Sequence, residues 1–250
     1  MTAYLLIGQD KRLEELYEML KEKGKQVMYV QEEQEIEALT RYPIEQGKKT
    51  VCVVGKIPQD IETALKEKGA VFFHMLTDKR CKSFNAVATA EGAIAHAIVM
   101  SPWNIEDSAV CIVGFGTCGS VLAEKCKALG AKTTVVVRRQ EMAKAAAKAG
   151  HQVIWTEEFA EKAGTFRYLF NTVPAVLITD SVLKKLRKDV ILIDIASNEG
   201  GVDYKAAAVR QIKAVQILRI PGRFAAKSSA KKLFEILLAQ EESTALVEQE

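Results

Sequence analysis

Three glycines, Gly114, Gly116 and Gly119, fall at the spacing Gly-x-Gly-x-x-Gly in the segment Gly114-Phe115-Gly116-Thr117-Cys118-Gly119. A short apolar run at 109–113 precedes them and an amphipathic stretch at 119–129 follows. The pattern therefore sits where a strand turns into a helix, inside a strand-helix-strand unit of about thirty residues. The first glycine permits a tight turn, the second lets backbone amides approach a pyrophosphate, and the third lets the helix lie against the strand. The helix N-terminus adds unpaired N–H groups and a favourable dipole. Phe115, Thr117 and Cys118 complete the loop, and the chemistry is the binding of a nicotinamide dinucleotide. Cys118 reads as a small first-turn residue; the sharper alternative is a redox-sensitive thiol activated by the helix N-terminus.

About twenty residues after the last glycine, an Asp or Glu would read the ribose 2′-hydroxyl of NAD. This chain carries Arg138 and Arg139 instead, and guanidinium groups suit a 2′-phosphate. NADP is the expected cofactor, with NAD the alternative. Asn171, Thr172, Val173 and Pro174 follow one apolar run, and Asp194 and Ser197 close the next. Both groups stand at carboxyl ends of strands, where ligands of open α/β sheets bind, so they are expected on the nicotinamide side. Glu91 stands inside an apolar helical stretch, where a buried carboxylate needs a partner or a purpose. Glu91 and Asp194 are the candidate catalytic residues. The three histidines have no metal-ligand spacing, and no metal is expected.

The elements that must position these residues alternate along the whole chain, β-branched apolar runs with amphipathic stretches, which is the signature of parallel sheets with crossover helices. Strands are expected at 4–8, 26–30, 50–54 and 70–76, then at 109–113, 133–137, 152–155, 168–171, 190–195 and 214–218. The fold class is α/β, with two doubly wound parallel-sheet domains, the second a Rossmann dinucleotide-binding domain. The expected division is a flavodoxin-like, substrate-side domain at 1–84 and a linking helix plus NADP-binding domain at 85–225. Residues 85–100 read as a buried helix, apolar on nearly every face. The terminal helix, 226–250, is expected to pack back near the first domain, by analogy with two-lobed nucleotide dehydrogenases.

Composition narrows the partners. With 48% hydrophobic and 27% charged residues the chain reads as globular rather than disordered. Thirty-five basic against 32 acidic residues leave a net charge of +3, too little to imply a nucleic acid or a membrane. Five cysteines without zinc-ligand spacing suggest reduced thiols, and with no basic, apolar leader visible the expected location is cytoplasmic.

Several segments together resemble the family of dipicolinate synthase A subunits: Asn85-Ala-Val-Ala-Thr-Ala-Glu91-Gly92, the glycine loop, Phe170-Asn171-Thr172-Val173-Pro174, Ile193-Asp194-Ile195-Ala196-Ser197, and Pro221-Gly222-Arg223-Phe224-Ala225-Ala226-Lys227. The resemblance implies a sporulation oxidoreductase that works with a flavoprotein-like partner, the B subunit. Its implied reaction oxidises a dihydrodipicolinate-level intermediate to pyridine-2,6-dicarboxylate. The resemblance also implies that Asn85, Thr89 and Glu91 face the substrate in an interdomain cleft. A dicarboxylate substrate calls for cations, and Arg223 and Lys227 are placed to supply them. A homo-oligomer is expected. Asn198-Glu199 stands where the family usually has a cation and a proline. That difference motivates one alternative, a related NADP-dependent dehydrogenase of another small carboxylic acid; a module that senses NADP without turnover is a further one.

Overall fold

The computed structural model describes residues 2–39 and 49–247. The chain divides into two units, Met1–Asn85 with Pro221–Glu250, and Ala86–Ile220. Residues 248–250 of the expected terminal helix lie outside the described residues.

The first unit runs β1 (Thr2–Ile7), α1 (Lys11–Glu22), β2 (Gln26–Val30), α2 (Glu33–Ala38), β3 (Lys49–Val54), α3 (Gln59–Glu67), β4 (Val71–His74) and the start of α4 (Lys79–Met100). Its four strands are parallel in the order β2-β1-β3-β4. Strand periodicity explains why β1 is apolar from Ala3 to Ile7. Tyr4 and Leu6 pack with Leu13, Leu16 and Leu20 of α1 and with Leu233 and Leu237. Leu5 and Ile7, one residue out of phase, pack on the other face with Ile61 and Leu65 of α3. A sheet covered on both faces has no polar side to alternate with. Asp10 caps α1 by accepting from the Arg12 backbone N–H at 2.9 Å. Gly24 follows the helix at φ +72°, the left-handed conformation that lets the chain turn off the last carbonyls.

The second unit continues α4 and adds β5 (Ala109–Val113), α5 (Thr117–Ala128), β6 (Lys132–Val137), α6 (Gln140–Lys148), β7 (Gln152–Trp155), α7 (Phe159–Lys162), β8 (Tyr168–Asn171), α8 (Asp180–Leu183), β9 (Ile191–Asp194), α9 (Tyr204–Val209) and β10 (Ala214–Gln216). The six strands are parallel in the order β10-β9-β8-β5-β6-β7. Strand order reverses between β5 and β8, and the carboxyl ends at such a switch point form the ligand crevice of doubly wound sheets. The two doubly wound parallel sheets expected from the sequence are present. After β10 the chain forms α10 (Ile220–Phe224) and α11 (Ala226–Val247), the latter lying against α1 within the first unit.

α4 corrects one expectation. It starts at Lys79, not residue 85, and it is buried on one side only. Ala86, Ala90, Ala93 and Ala97 are buried, whereas Val87, Ile98 and Val99 are exposed. The face of a uniformly apolar helix is chosen by where small side chains allow close approach to the sheet, and hydropathy alone does not report that. Among the described residues no helix is long and apolar enough to cross a membrane.

At the amino-terminal edge of β8, Arg167 stacks over Trp103 at 4.2 Å and pairs with Asp189 at 2.7 Å, which Arg187 also reaches at 2.9 Å. Hydrogen bonding to Arg187, then to Arg167, holds the Asp189 carboxyl down to about 2. Because the folded-state value lies below the ordinary value of about 3.9, the pair stabilises the fold above that pH and the contribution is lost as pH falls toward 2. Asp189→Asn is expected to lower the unfolding midpoint slightly at pH 6 and to converge on the parent protein in the acid range. The effect is small because the carboxylate is half exposed and screened.

Candidate dinucleotide-binding site

The glycine loop leaves β5 at its carboxyl end and opens α5. Gly114 sits at φ +97°, and a Cβ there would stand 2.6 Å from both Thr172 Oγ1 and Val173 Cγ2. A Cβ at Gly119 would run into the Gly114 carbonyl oxygen, so only glycine lets α5 lie this close to β5. Gly116 differs: its φ of −80° suits any residue, and nothing stands within 4 Å of a Cβ there. It is also the N-cap of α5 and makes no side-chain cap, so the first N–H groups of the helix have no side-chain acceptor from that residue. An open second glycine below an uncapped helix N-terminus, in a loop braced by two crowded glycines, fits a dinucleotide pyrophosphate. Phe115 turns inward, its ring edge-on to His151 with centroids 5.7 Å apart.

Beside the loop, parallel register aligns Val113 of β5 with Asn171 of β8, Asn171 with Asp194 of β9, and Asp194 with Gln216 of β10. Three polar side chains thus end three neighbouring strands. Asn171 and Asp194 are fully buried. Asp194 Oδ1 accepts from Asn171 Nδ2 at 2.8 Å and from the Ala196 N–H at 2.9 Å; Oδ2 accepts from the Gly201 N–H at 2.7 Å and from the Tyr204 hydroxyl at 2.9 Å. Burial, then the hydrogen bond to Asp194, pushes the Tyr204 hydroxyl far above its ordinary value, which keeps it a donor. Asn171 also bridges to Val173, donating to its carbonyl at 3.0 Å and accepting its N–H at 3.2 Å. Thr172 donates its hydroxyl to the Val113 carbonyl at 2.9 Å. The loop 196–201 carries Ser197 on its exposed rim, with Asn198 at φ +59° and Gly200 at φ +80°.

The structure brings together Gly114, Gly119, Thr172 and Val173, and it joins Asn171 to Asp194. Ser197 and Pro174 are exposed on the two loops that follow β9 and β8. Asp194 holds backbone and side-chain donors with both oxygens, an arrangement that fixes a loop and leaves no oxygen for proton exchange. Glu91 is not buried: its side chain is 56% exposed and pairs with Lys125 at 2.8 Å, so the argument for catalysis from a buried carboxylate fails. Burial pushes the Cys118 thiol up, against activation by the helix N-terminus. Arg138 and Arg139 are exposed, and Arg139 pairs with Glu141 at 3.0 Å as a helix-start residue. Asn85 accepts from Arg12 Nη1 at 3.2 Å, and Thr89 follows one turn later on α4. Arg223 and Lys227 lie on α10 and α11, and both are exposed. Tyr204 and Gln216 were missed by motif reasoning. For Gln216 the available signal was a polar residue closing an apolar strand, as at Asn171 and Asp194; Tyr204, at the start of α9, carried no such signal.

Residues 72–214 match the family model described as D-isomer specific 2-hydroxyacid dehydrogenase, NAD binding domain. The A subunit of dipicolinate synthase from Bacillus subtilis (strain 168) is 30% identical over 154 residues, which are 62% of this chain and 52% of that protein. The match therefore spans about half the length of that relative. Among solved structures, the A subunit of dipicolinate synthase from Bacillus halodurans superposes with a TM-score of 0.82 at 21% identity, covering 96% of this chain and 97% of that one. The apo-structure of D-lactate dehydrogenase from Escherichia coli superposes with a TM-score of 0.68 at 10% identity, covering 96% and 97%. These two likenesses show the fold.

The family model overturns the expectation of NADP, because the matched domain is an NAD-binding domain. The structure gives the two arginines the ordinary role of solvated residues at the start of α6: both are exposed, and Arg139 pairs with Glu141. With a dinucleotide loop built as described and the model matched across both sides of it, the chain belongs to the D-isomer specific 2-hydroxyacid dehydrogenase family and is an oxidoreductase of that family, a divergent relative of the dipicolinate synthase A subunits.

Proposed function

We propose that this chain serves as the A subunit of a dipicolinate synthase, oxidising a dihydrodipicolinate-level intermediate to pyridine-2,6-dicarboxylate with the help of a B subunit. The observation that carries the reading is the 30% identity over 154 residues to a protein of that name. When bound, NAD supplies the hydride acceptor. The chain's own residues bind and orient. The α5 N-terminus and Gly116 receive the pyrophosphate, and Thr172 and Ser197 line the nicotinamide side, with the buried Asn171 supporting the loop beneath them. The substrate loses a hydride and a ring proton, and aromatisation makes the step downhill, so alignment of the reacting carbon matters more than strong acid-base catalysis. Arg223 and Lys227 suit the two carboxylates, with Asn85 and Thr89 as further polar contacts. On this reading residues 1–84 form the substrate-side domain and residues 85–225 the cofactor domain.

The test is dipicolinate formation, followed by its ultraviolet absorbance, when the purified chain meets NAD and freshly generated dihydrodipicolinate with and without a B subunit. Product above the uncatalysed background and dependent on the chain is the expected result. No product in either arm, with NAD binding intact, would turn the reading to a dehydrogenase of another small carboxylic acid. The Asn198-Glu199 pair at the loop tip is what favours that second reading.

A further inference from the structure

We propose that Gln216 is a positioning residue that sets the loop 196–201 against the nicotinamide half of the cofactor. Its Nε2 donates to the Ala196 carbonyl at 3.1 Å and to the Asn198 carbonyl at 3.0 Å. These two carbonyls flank Ser197, the residue assigned above to the nicotinamide side. Asn198, at the second of them, holds φ +59°, the left-handed conformation that asparagine adopts more readily than other residues with a side chain, and it turns the loop back toward β10. Gly200 closes the same turn at φ +80°, and a Cβ there would press on Asp194 Oδ2 and stand 3.0 Å from Gln216 Nε2. The loop is thus clamped twice, by Asp194 through the Ala196 and Gly201 N–H groups and by Gln216 through the two carbonyls. A carboxylate can take only the donors and a carboxamide N–H2 can serve two acceptors, so the two residue types are complementary rather than redundant. Gln216 reaches the loop because parallel register puts it beside Asp194, and as the last residue of an edge strand it is only half-buried.

The inference rests on the dinucleotide site read above, and its test separates the two. Binding of NAD and of ADP-ribose, which lacks the nicotinamide, is measured for the parent protein and for Gln216→Leu, with Gln216→Met as a second variant that lacks the donors but adapts its shape. Two lost hydrogen bonds to the loop are expected to weaken NAD about tenfold while leaving ADP-ribose within about twofold. A general loosening of the domain would weaken both ligands alike, and that parallel loss, or unchanged NAD affinity in both variants, overturns the role of Gln216 while the site stands. A parent protein that binds neither ligand overturns the site and the inference with it.

Discussion

Asp194→Ala is expected to cost about 3 to 5 kcal/mol of folding stability, read as the loss in urea unfolding free energy. The carboxylate is fully buried and accepts from Asn171, Tyr204 and two backbone N–H groups. Removing it leaves those donors facing one another in the interior, and each unsatisfied buried donor costs about 1 to 3 kcal/mol. The sum is moderated because Asn171 keeps its bond to the Val173 carbonyl and because Tyr204 is only half-buried. Asp194→Asn keeps the size but turns an N–H2 toward one pair of donors, so its loss should be real but smaller. A cost below about 1 kcal/mol for the alanine variant would mean that the loop finds other acceptors, and Asp194 would lose its place as the anchor of the network.

The second large effect separates two glycines that a motif treats alike. Gly116→Ala is expected to cost no more than about 1 kcal/mol of stability, the loss of a glycine N-cap, and to weaken NAD about a hundredfold, by closing the approach of backbone to pyrophosphate. The open surroundings and ordinary φ of Gly116 require this split. Gly119→Ala must instead push α5 off the Gly114 carbonyl, an overpacking that costs about 1 to 3 kcal/mol and disturbs binding as well. Paired measurements of unfolding midpoint and NAD affinity check both. If Gly116→Ala binds NAD as tightly as the parent, the pyrophosphate does not lie over that loop.

The glycine loop was legible because every contact that shapes it is local or made by one neighbouring strand. Strand 109–113, its turn and the following helix lie within about twenty residues, and their sequence periodicity carries the information. Even the boundaries agree: Ala109–Val113, Gln152–Trp155 and Tyr168–Asn171 coincide with the strands expected at those positions. The candidate catalytic acids were a different problem. Whether Glu91 points inward depends on which face of α4 the sheet accepts, and the small alanines decided that by permitting close packing on their own side. The reading of Arg138 and Arg139 as readers of a 2′-phosphate took residue type as sufficient, whereas Arg139 is engaged by Glu141 two residues away and the domain family binds NAD.

By itself the sequence determined the two doubly wound sheets and the dinucleotide turn, because alternating hydropathy and the glycine spacing are properties of short, contiguous segments. Only the tertiary structure decided that Asn171, Asp194 and Gln216 form one row. They come from segments separated by whole helices, and their meeting is set by parallel register and by the burial of both faces of the sheet, which no local pattern encodes.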